Sequence, residues 1–272
     1  MKKSTQFIII IIIILFSKFI LFAQIKFCSW NIQNFGKSKT ESHIKFIANT
    51  LNGYDVVAIV EVVAGLGGSQ AVARLADELN RKGSKWDYSI SDPTTGSPSK
   101  SERYAFLWKT SKLKKIGAAF LENKYQTEIE REPYLATFSS GNKEFTIATF
   151  HALPKNKHPV QEIKYLKFIP GEFLSKNIIF SGDFNCPESH TVFNPLKVSG
   201  YLSAFTKQKT SLKTKCVNND CLASEYDNIF YKGSKIHLIK SGVVHFYKEF
   251  SILKQARKIS DHLPVYLEFS IN

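Results

Sequence analysis

Acidic, amide and histidine side chains stand at the ends of five apolar, strand-like runs in this chain. They are Asn31, Glu61, His151, the pair Asp183 and Asn185, and the pair Asp261 and His262. A charged or polar side chain at the end of a buried strand costs free energy unless a partner satisfies it. Because packed scaffolds place catalytic groups at strand ends, we expect these side chains to converge on one shared site.

The oxygen donors of this set indicate a site for a hard divalent cation. Carboxylates come from Glu61, Asp183 and Asp261, and neutral amide oxygens come from Asn31 and Asn185. Oxygen ligands suit Mg²⁺, Mn²⁺ or Ca²⁺ better than Zn²⁺. The sequence therefore predicts Mg²⁺ or Mn²⁺ as the cofactor, with Ca²⁺ as an alternative.

Two imidazoles accompany these oxygen donors. His151 and His262 titrate near neutrality, so one could accept a proton from an attacking water while another group stabilises the leaving oxygen. Each imidazole needs an orienting partner, and Glu102 and Asp227 are candidates because both border apolar strand runs. Arg131 could clamp a phosphate with its planar guanidinium. The combination is typical of metal-assisted hydrolysis of a phosphodiester.

The pattern of apolar residues predicts the elements that position these groups. Apolar runs predict strands at 25–30, 55–60, 104–108, 134–138, 145–150, 177–181, 227–231 and 265–269. Helical spacing predicts helices over 41–51, from Val72 to near Gly83, and over 160–174 with a break at Pro170-Gly171. Strands, hairpins and helices in this mixture predict an α/β fold. We expect a four-layer α-β-β-α sandwich, in which two packed mixed β-sheets are flanked by helices.

The first 23 residues are predicted to lie outside the folded domain. Lys2 and Lys3 precede an apolar run from Phe7 to Phe16, and Ala23 offers a cleavage point, as in a secretory signal peptide. An uncleaved N-terminal anchor is the alternative. We therefore expect one catalytic domain over residues 24–272, secreted or periplasmic. We expect it to be a monomer, with no stable membrane partner if the leader is cleaved.

The charge of the chain favours a polyanionic partner. The 272 residues carry a formal net charge of +14, and removal of residues 1–23 takes away three lysines and no acid, which leaves +11. Such a protein attracts nucleic acid, anionic lipid headgroups or cell-wall polymers. A lysine-rich surface that only maintains solubility explains the charge equally well.

The four cysteines leave the disulfide pattern open. Cys216 and Cys221 flank a turn-like segment and could form a local bridge, although three pairings of four cysteines are possible. Cys28 lies in a strand-like run and is predicted to be a buried free thiol. A zinc site built from all four is not expected, because the chain lacks two CxxC pairs.

At these motifs the chain resembles the endonuclease/exonuclease/phosphatase superfamily. The resemblance rests on four segments, at 30–36 (WNIQNFG), 59–62 (IVEV), 182–185 (GDFN) and 260–265 (SDHLPV). Two further blocks, 102–107 (ERYAFL) and 131–133 (REP), resemble deoxyribonuclease I-like enzymes in particular. The matching blocks fall between Ile25 and Phe269, nearly the whole chain after the leader.

The resemblance implies a role for each of the oxygen donors. Glu61 would hold the divalent metal, with Asn31 and Asp261 close by. Asp183 and Asn185 would act on the scissile phosphate and the nucleophile. The products of such enzymes carry 5′-phosphate ends.

The resemblance also implies roles for the remaining candidates. His151 and His262 would be the catalytic imidazoles, with Asp227 orienting His151 and Glu102 orienting His262. Arg131 would contact a phosphate. Which histidine is the acid and which the base stays open.

The chain departs from the resemblance at two positions that in such enzymes reach into the DNA minor groove. Where an arginine follows the metal-binding Glu by two residues, this chain has Val63. Where a tyrosine precedes the second Glu by two residues, it has Lys100. Lys100 can still meet a phosphate, but the stacking and insertion contacts are lost. We therefore expect catalysis to persist without a strong preference for duplex DNA.

Taken together, the residues and the resemblance predict a secreted endonuclease that cuts DNA through contacts to its phosphate backbone, with little sequence preference. A phosphodiesterase of the same superfamily acting on another substrate, sphingomyelinase-like or phosphatase, is one alternative. A non-catalytic fold that binds polyanions is another.

Overall fold

The computed structural model describes residues 24–97, 101–173 and 177–272. In it, the alternating and continuous apolar runs form strands, and the runs with helical spacing form helices. In chain order the strands are β1 (Ile25–Phe35), β2 (Val56–Val63), β3 (Trp86–Ile90), β4 (Glu102–Lys109), β5 (Lys114–Leu121), β6 (Tyr134–Ser140), β7 (Lys143–His151), β8 (Ile178–Asp183), β9 (Tyr201–Ser203), β10 (Leu212–Val217), β11 (Asp220–Leu222), β12 (Asp227–Lys232), β13 (Ile236–Val243) and β14 (Val265–Ile271). The α-helices are α1 (Glu41–Leu51), α2 (Leu66–Asn80), α3 (Val160–Ile163), α4 (Ile169–Glu172), α5 (Asn194–Val198) and α6 (Leu253–Ile259). Short 3₁₀ helices occur at Lys155–Lys157, Thr191–Phe193 and Phe246–Glu249.

Two six-stranded mixed sheets and one two-stranded sheet result from these strands. The first sheet has the order β13-β14-β1-β2-β4-β3, and the second has the order β5-β6-β7-β8-β12-β9. Each large sheet has one parallel pair at its centre, β1–β2 in the first and β7–β8 in the second, and its other pairs are antiparallel. Because the two sheets share this plan, the ends of both parallel pairs can meet at one edge of the sandwich.

Three apolar layers hold the fold together. One lies between the first sheet and helices α1, α2 and α6, a second lies between the two sheets, and the third covers the outer face of the second sheet. The inter-sheet layer is rich in phenylalanine, as at Phe27, Phe106 and Phe145, each 0% exposed. Two sheets with helices on both outer faces form the four-layer α-β-β-α sandwich that the sequence predicted, so the fold class is confirmed.

The predicted helix over residues 160–174 is wrong in its continuity. The chain forms two four-residue helices, α3 and α4, separated by turns at residues 164–168. Pro170 lies in the first turn of α4 and does not interrupt it, because the first N–H groups of a helix have no internal partner to lose. Leu174 lies outside the described residues.

The cysteines follow one of the open alternatives. Cys216 and Cys221 form a disulfide, with Cα atoms 4.2 Å apart, across the hairpin of β10 and β11. Cys28 and Cys186 are buried free thiols, as predicted for Cys28.

The predicted leader, residues 1–23, lies outside the described residues. In the described part of the chain no helix has the length and apolar character needed to cross a membrane.

Candidate active site

Strand alternation directs the end of β1 toward the second sheet. Phe27 packs in the inter-sheet layer, whereas Cys28 and Trp30 pack against the helices. Because side chains alternate along a strand, Asn31 falls on the inter-sheet face where the strand reaches the edge of the sandwich. Its side chain is 1% exposed.

The same alternation places four more candidates on the inter-sheet face. His151 and Asp183 end β7 and β8 and are paired in register. Glu102 and Asp227 open β4 and β12, which run antiparallel to β2 and β8. The first residue of an antiparallel neighbour lies at the same edge as the last residue of the strand beside it. All four side chains therefore meet Asn31 at one edge.

Glu61 reaches this edge through an irregularity in β2. Ala58 and Val60 face the second sheet, so regular alternation would direct Glu61 toward the helices. The φ of Glu61 is 62°, and the register between β1 and β2 shifts at this point, which re-aims the side chain. Its carboxylate accepts hydrogen bonds from Asn31 Nδ2 at 2.9 Å and from the backbone N–H of Asn34 at 3.0 Å.

Gly182 brings β7 and β8 close together immediately before Asp183. Its φ is +127°, a conformation that side chains with a Cβ rarely adopt. A Cβ added there would overlap the carbonyl oxygen of Phe150. The glycine of the segment at 182–185 is therefore required by backbone packing.

His151 is held by Glu102 and Arg131. The imidazole Nδ1 lies 2.9 Å from Glu102 Oε1, and Arg131 Nη1 donates to Glu102 Oε2 at 3.0 Å. Nδ1 also lies 3.0 Å from Arg131 Nη1, a group that can only donate. Because the Glu102 carboxylate only accepts and lies closer, we assign the proton to Nδ1, which leaves Nε2 as the nitrogen available for chemistry. Nε2 lies 3.5 Å from Asp183 Oδ2 and 4.0 Å from Glu61 Oε1.

His262 is held by Asp227 and Thr210. Nδ1 of His262 donates to Asp227 Oδ2 at 2.8 Å, and Thr210 Oγ1 donates to the same oxygen at 2.7 Å. Thr210 Oγ1 also accepts from the backbone N–H of Asp227 at 2.9 Å. The ring of Tyr226 stacks on the imidazole with centroids 6.3 Å apart.

The pairing of acids and imidazoles is the reverse of the one expected from the resemblance. Glu102 orients His151 and Asp227 orients His262, so the expected Asp227–His151 and Glu102–His262 pairs are wrong. Glu102 opens a strand of the first sheet and His151 ends a strand of the second, whereas Asp227 belongs to the second sheet and His262 precedes β14 of the first. Each acid therefore reaches across the gap between the sheets.

Asp183 lies between the two imidazoles. Its Oδ2 is 3.5 Å from His151 Nε2 and 3.6 Å from His262 Nδ1, and it accepts a hydrogen bond from Asn31 Nδ2 at 3.1 Å. Its Oδ1 accepts from the backbone N–H of Asn185 at 2.8 Å. The buried carboxylate of Asp183 thus lies between the His151–Glu102 pair and the His262–Asp227 pair.

The charges of the site favour protonated imidazoles. Burial lowers the pKa of His262, but Asp227 and Asp183 outweigh it and raise this pKa well above its usual value. Burial likewise opposes a charged His151, and Glu102 more than compensates, so the pKa of His151 is also raised. Burial raises the pKa of Asp227 to about 6, while the facing imidazole acts in the opposite direction. Burial also raises the pKa of Asp183, but the two imidazoles outweigh it and lower that pKa overall.

Asn185 and Asp261 lie at the margins of this constellation. Asn185 Nδ2 donates to the carbonyl oxygen of Ala152 at 3.0 Å, and its φ is 49°. Asp261 Oδ2 accepts from Gln33 Nε2 at 3.1 Å and from Arg257 Nη2 at 3.4 Å. A contact of Asp261 with a metal at Glu61 stays a prediction.

Arg131 lies beneath His151. The residue is 6% exposed, Nη1 donates to Glu102 Oε2 at 3.0 Å, and Nη2 donates to the carbonyl oxygen of Ala152. Its Nε has no hydrogen-bond partner among the described residues. The arginine therefore supports Glu102 and His151, and its contact with a phosphate stays a prediction. Lys100 lies outside the described residues.

Lys39 and Ser260 are site residues that the sequence reasoning did not single out. Lys39, 3% exposed, donates its ammonium to the carbonyl oxygens of Lys258 and Ile259 at 3.0 and 2.8 Å, and its burial lowers its pKa to about 8. Ser260 Oγ donates to the Asn31 carbonyl at 2.6 Å. Thr210 was missed as well. These residues fix the loop before β14, and only the folded chain shows them near the site.

Glu61 and Asn31 have the donors that fit a divalent cation. The Glu61 side chain is 25% exposed, and Asn31 Oδ1 is buried with no hydrogen-bond partner among the described residues. A carboxylate beside an unsatisfied amide oxygen suits Mg²⁺ or Mn²⁺. Asp183, Asp227 and His262 also have ligand atoms within 4.8 Å of one another. That group fits a cation less well, because Asp227 and His262 already bind each other.

Comparison with known proteins identifies relatives of this chain. The sequence model of the Endonuclease/Exonuclease/phosphatase family matches residues 28–262. A deoxyribonuclease from Thioalkalivibrio sp. (strain K90mix) is 28% identical, over 99% of this chain and 77% of the relative. Deoxyribonuclease gamma of Rattus norvegicus is 28% identical, over 89% of this chain and 83% of the relative. Deoxyribonuclease-1 of Ovis aries is 27% identical, over 89% and 98%.

Solved structures share the fold at lower sequence identity. An endonuclease/exonuclease/phosphatase family protein from Bacteroides thetaiotaomicron has a TM-score of 0.66 and 16% identity, over 92% of this chain and 98% of that one. A mannosyl-6-phosphatase of the same bacterium has a TM-score of 0.66 and 17% identity, over 90% and 99%. The family model covers most of the chain, and the structure places two imidazole–carboxylate pairs around Asp183. The chain therefore belongs to the endonuclease/exonuclease/phosphatase family, is similar to deoxyribonuclease I, and is a hydrolase of phosphodiester bonds.

Proposed function

We propose that this protein is an exported, divalent-metal-dependent endonuclease that hydrolyses DNA with little sequence preference and leaves 5′-phosphate ends. The observation that carries the proposal is the position of Asp183 between His151 and His262, with Glu61 at the same edge. Relatives named deoxyribonuclease along nearly the whole chain support DNA as the substrate.

The two imidazoles supply the proton transfers of the reaction. Each has Nδ1 committed to a buried carboxylate, so each presents Nε2 in a defined tautomer. One Nε2 accepts a proton from the attacking water, and the other donates a proton to the leaving oxygen. Asp183 Oδ2 lies 3.5 Å from His151 Nε2 and 3.6 Å from His262 Nδ1, and its negative charge stabilises the imidazolium that forms when a ring accepts a proton.

Glu61 and Asn31 would hold the cation. A bound divalent ion would stabilise the negative charge that develops on the phosphate. Asn31 Nδ2 also bridges the carboxylates of Glu61 and Asp183 by donating a hydrogen bond to each. These two hydrogen bonds offset part of the repulsion between the two negative groups.

The formal charge of +11 that remains after removal of the three leader lysines from the total of +14 supports capture of DNA through its backbone. Contacts to phosphates provide affinity without reading sequence, and they weaken as salt rises because counterions are released on binding. Cleavage should therefore fall by orders of magnitude between about 50 and about 200 mM salt. A flat salt profile would contradict electrostatic capture.

A nicking assay tests the proposal. We expect supercoiled plasmid to be nicked in Mg²⁺, and we expect EDTA or His151→Ala to abolish nicking. His237→Ala is the matched control, because His237 is exposed on β13 and should be without effect. Hydrolysis of sphingomyelin or a phosphomonoester without plasmid nicking would favour the alternative substrates, and DNA binding without turnover in any metal would favour a non-catalytic protein.

Export is proposed from residues 1–23 alone. A basic start, an apolar run and a small residue at position 23 match a cleavable signal. N-terminal sequencing of the protein from the culture medium or periplasm should give Gln24 as the first residue. Retention of Met1 in a membrane fraction would contradict cleavage.

A further inference from the structure

An apolar groove lies between the end of β2 and the first turn of α2. It has a volume of about 490 Å³, and Val63, Leu66 and Lys37 contribute to its lining. Val63 is 39% exposed and Leu66 is 80% exposed. These two apolar side chains lie next to the catalytic edge, where they can contact the apolar part of a bound substrate.

The groove is continuous with the catalytic site. Asn34 lines it and donates its backbone N–H to Glu61 Oε2 at 3.0 Å. Its wall is tightly built, since a Cβ added at Gly36 would lie 2.9 Å from Val63 Cγ2. A substrate strand bound at Glu61 therefore has this groove as its neighbour.

We propose that the groove binds an unpaired nucleotide of the substrate strand, with the base against Val63 and Leu66 and a phosphate beside Lys37. This inference rests on the proposed nuclease function and names its substrate class as single-stranded or frayed DNA. Lys37 is exposed, and among the described residues it has no ion pair. Its ammonium is therefore available to a phosphate.

The chemistry of DNA selects this occupant. An intact duplex presents phosphates, sugars and base edges, to which proteins bind mainly through hydrogen bonds and ionic contacts. The apolar faces of its bases are hidden in the stack. An apolar surface gains more free energy from the face of a base that has already left the stack, because it need not unstack paired DNA first, as in proteins that bind single strands. The groove therefore favours strands whose bases are already free.

Binding in EDTA tests the inference without catalysis. Fluorescence anisotropy would compare a labelled single-stranded oligonucleotide with its duplex, for the wild type and for Val63→Ser/Leu66→Ser. Loss of two apolar contacts should weaken single-strand binding about tenfold or more, and duplex binding less than about twofold. Val198→Ser is the matched control, because Val198 is 88% exposed on the distant helix α5 and should change neither affinity.

An abasic nucleotide separates base contacts from phosphate contacts. The wild type should bind a strand made entirely of abasic nucleotides more weakly than the intact strand, whereas the serine variant should bind the two strands equally. Lys37→Ala should weaken intact and abasic strands equally. Loss of base sensitivity only in the serine variant supports the inference.

Three results would overturn it. Equal loss of single-strand and duplex binding would indicate a wedge that enters paired DNA, and no loss in either would show that the groove does not contact the substrate. Binding to phosphatidylcholine–sphingomyelin vesicles that the serine variant loses, with DNA binding unchanged, would assign the groove to a lipid surface. If the wild type cleaves no nucleic acid, the proposed function fails and this inference fails with it, whereas plasmid nicking with an unchanged serine variant refutes the inference alone.

Discussion

The pairing of Glu102 with His151 and of Asp227 with His262 predicts which substitutions will be energetically coupled. Asp227 is 3% exposed, and its Oδ2 accepts hydrogen bonds from both His262 Nδ1 and Thr210 Oγ1. Asp227→Ala leaves both donors buried without an acceptor. Removing one partner of a buried charged pair costs about 3–5 kcal/mol. We therefore expect the free energy of unfolding to fall by about this amount.

A double-mutant cycle isolates the pair itself. A hydrogen bond to a charged group contributes about 1.5–3 kcal/mol, so Asp227→Ala and His262→Ala should be coupled by about that much. Asp227 and His151 lie two strands apart, separated by β8, and their coupling should stay below about 0.5 kcal/mol. Glu102→Ala should show the opposite preference and couple to His151→Ala.

Urea unfolding in EDTA is the measurement, because it excludes any stability contributed by a bound metal. Each of the four combinations needs its two single variants, its double variant and the wild type, followed by circular dichroism. The pairing of Asp227 with His262 would be refuted if the coupling energy of Asp227 with His151 were the larger one. Equal coupling in all four combinations would refute it as well.

Three further predictions concern stability. Gly182→Ala should lower the free energy of unfolding in urea by at least about 3 kcal/mol, because its Cβ would overlap the Phe150 carbonyl at a φ of +127°. Gly53→Ala is the control, because Gly53 has open space around it, and it should change stability by less than about 0.5 kcal/mol. Equal effects of the two substitutions would contradict this packing. Replacing Cys216 and Cys221 together by alanine should cost about 2 kcal/mol, the chain entropy of a short closed loop, and a loss above about 4 kcal/mol would show that the bridge does more than close the hairpin. Burial raises the pKa of Glu102, but His151 and Arg131 outweigh burial and hold this pKa below its usual value. Glu102 therefore stabilises the fold fully above its unfolded pKa, and this stability is lost as pH falls below about 4.5. Glu102→Gln should remove that part of the pH dependence of unfolding, and identical pH profiles for the variant and the wild type would contradict it.

Much of the site could be predicted because strand alternation is a local property. Asn31, His151 and Asp183 each follow an apolar strand with the parity of its inter-sheet face, so a run of apolar residues indicates both the strand and the direction of the side chain at its end. Glu61 was predicted from the resemblance and from its place after an apolar run. The bulge that turns its carboxylate into the site leaves no signal in the apolar pattern.

The pairing of the histidines could not be derived from local sequence. Glu102 and Asp227 both open apolar strands, and nothing near either residue shows which imidazole it will face. That choice depends on how the two sheets pack, because each hydrogen bond crosses between them. The buried position of Arg131 has the same origin, since Glu102 belongs to the first sheet and Ala152 follows the end of β7 in the second.

Lys39 and Thr210 show a second limit of sequence reasoning. Each is polar, lies outside the central strands, and acts on a segment far away in the chain. Lys39 binds carbonyl oxygens 219 and 220 residues later. Polar residues in loops are usually solvated, so only the folded structure reveals that these two are buried.

In the proposed mechanism these residues divide between two roles: Glu61 and Asn31 hold the cation, while Asp227 keeps His262 available for proton transfer. Crystals soaked in Mn²⁺ and measured for anomalous scattering test this division directly. We predict the strongest anomalous peak beside Glu61 Oε1, within coordination distance of Asn31 Oδ1. A strongest peak bound by Asp183, Asp227 and His262 would contradict the account, because His262 would then be a metal ligand and not a proton carrier.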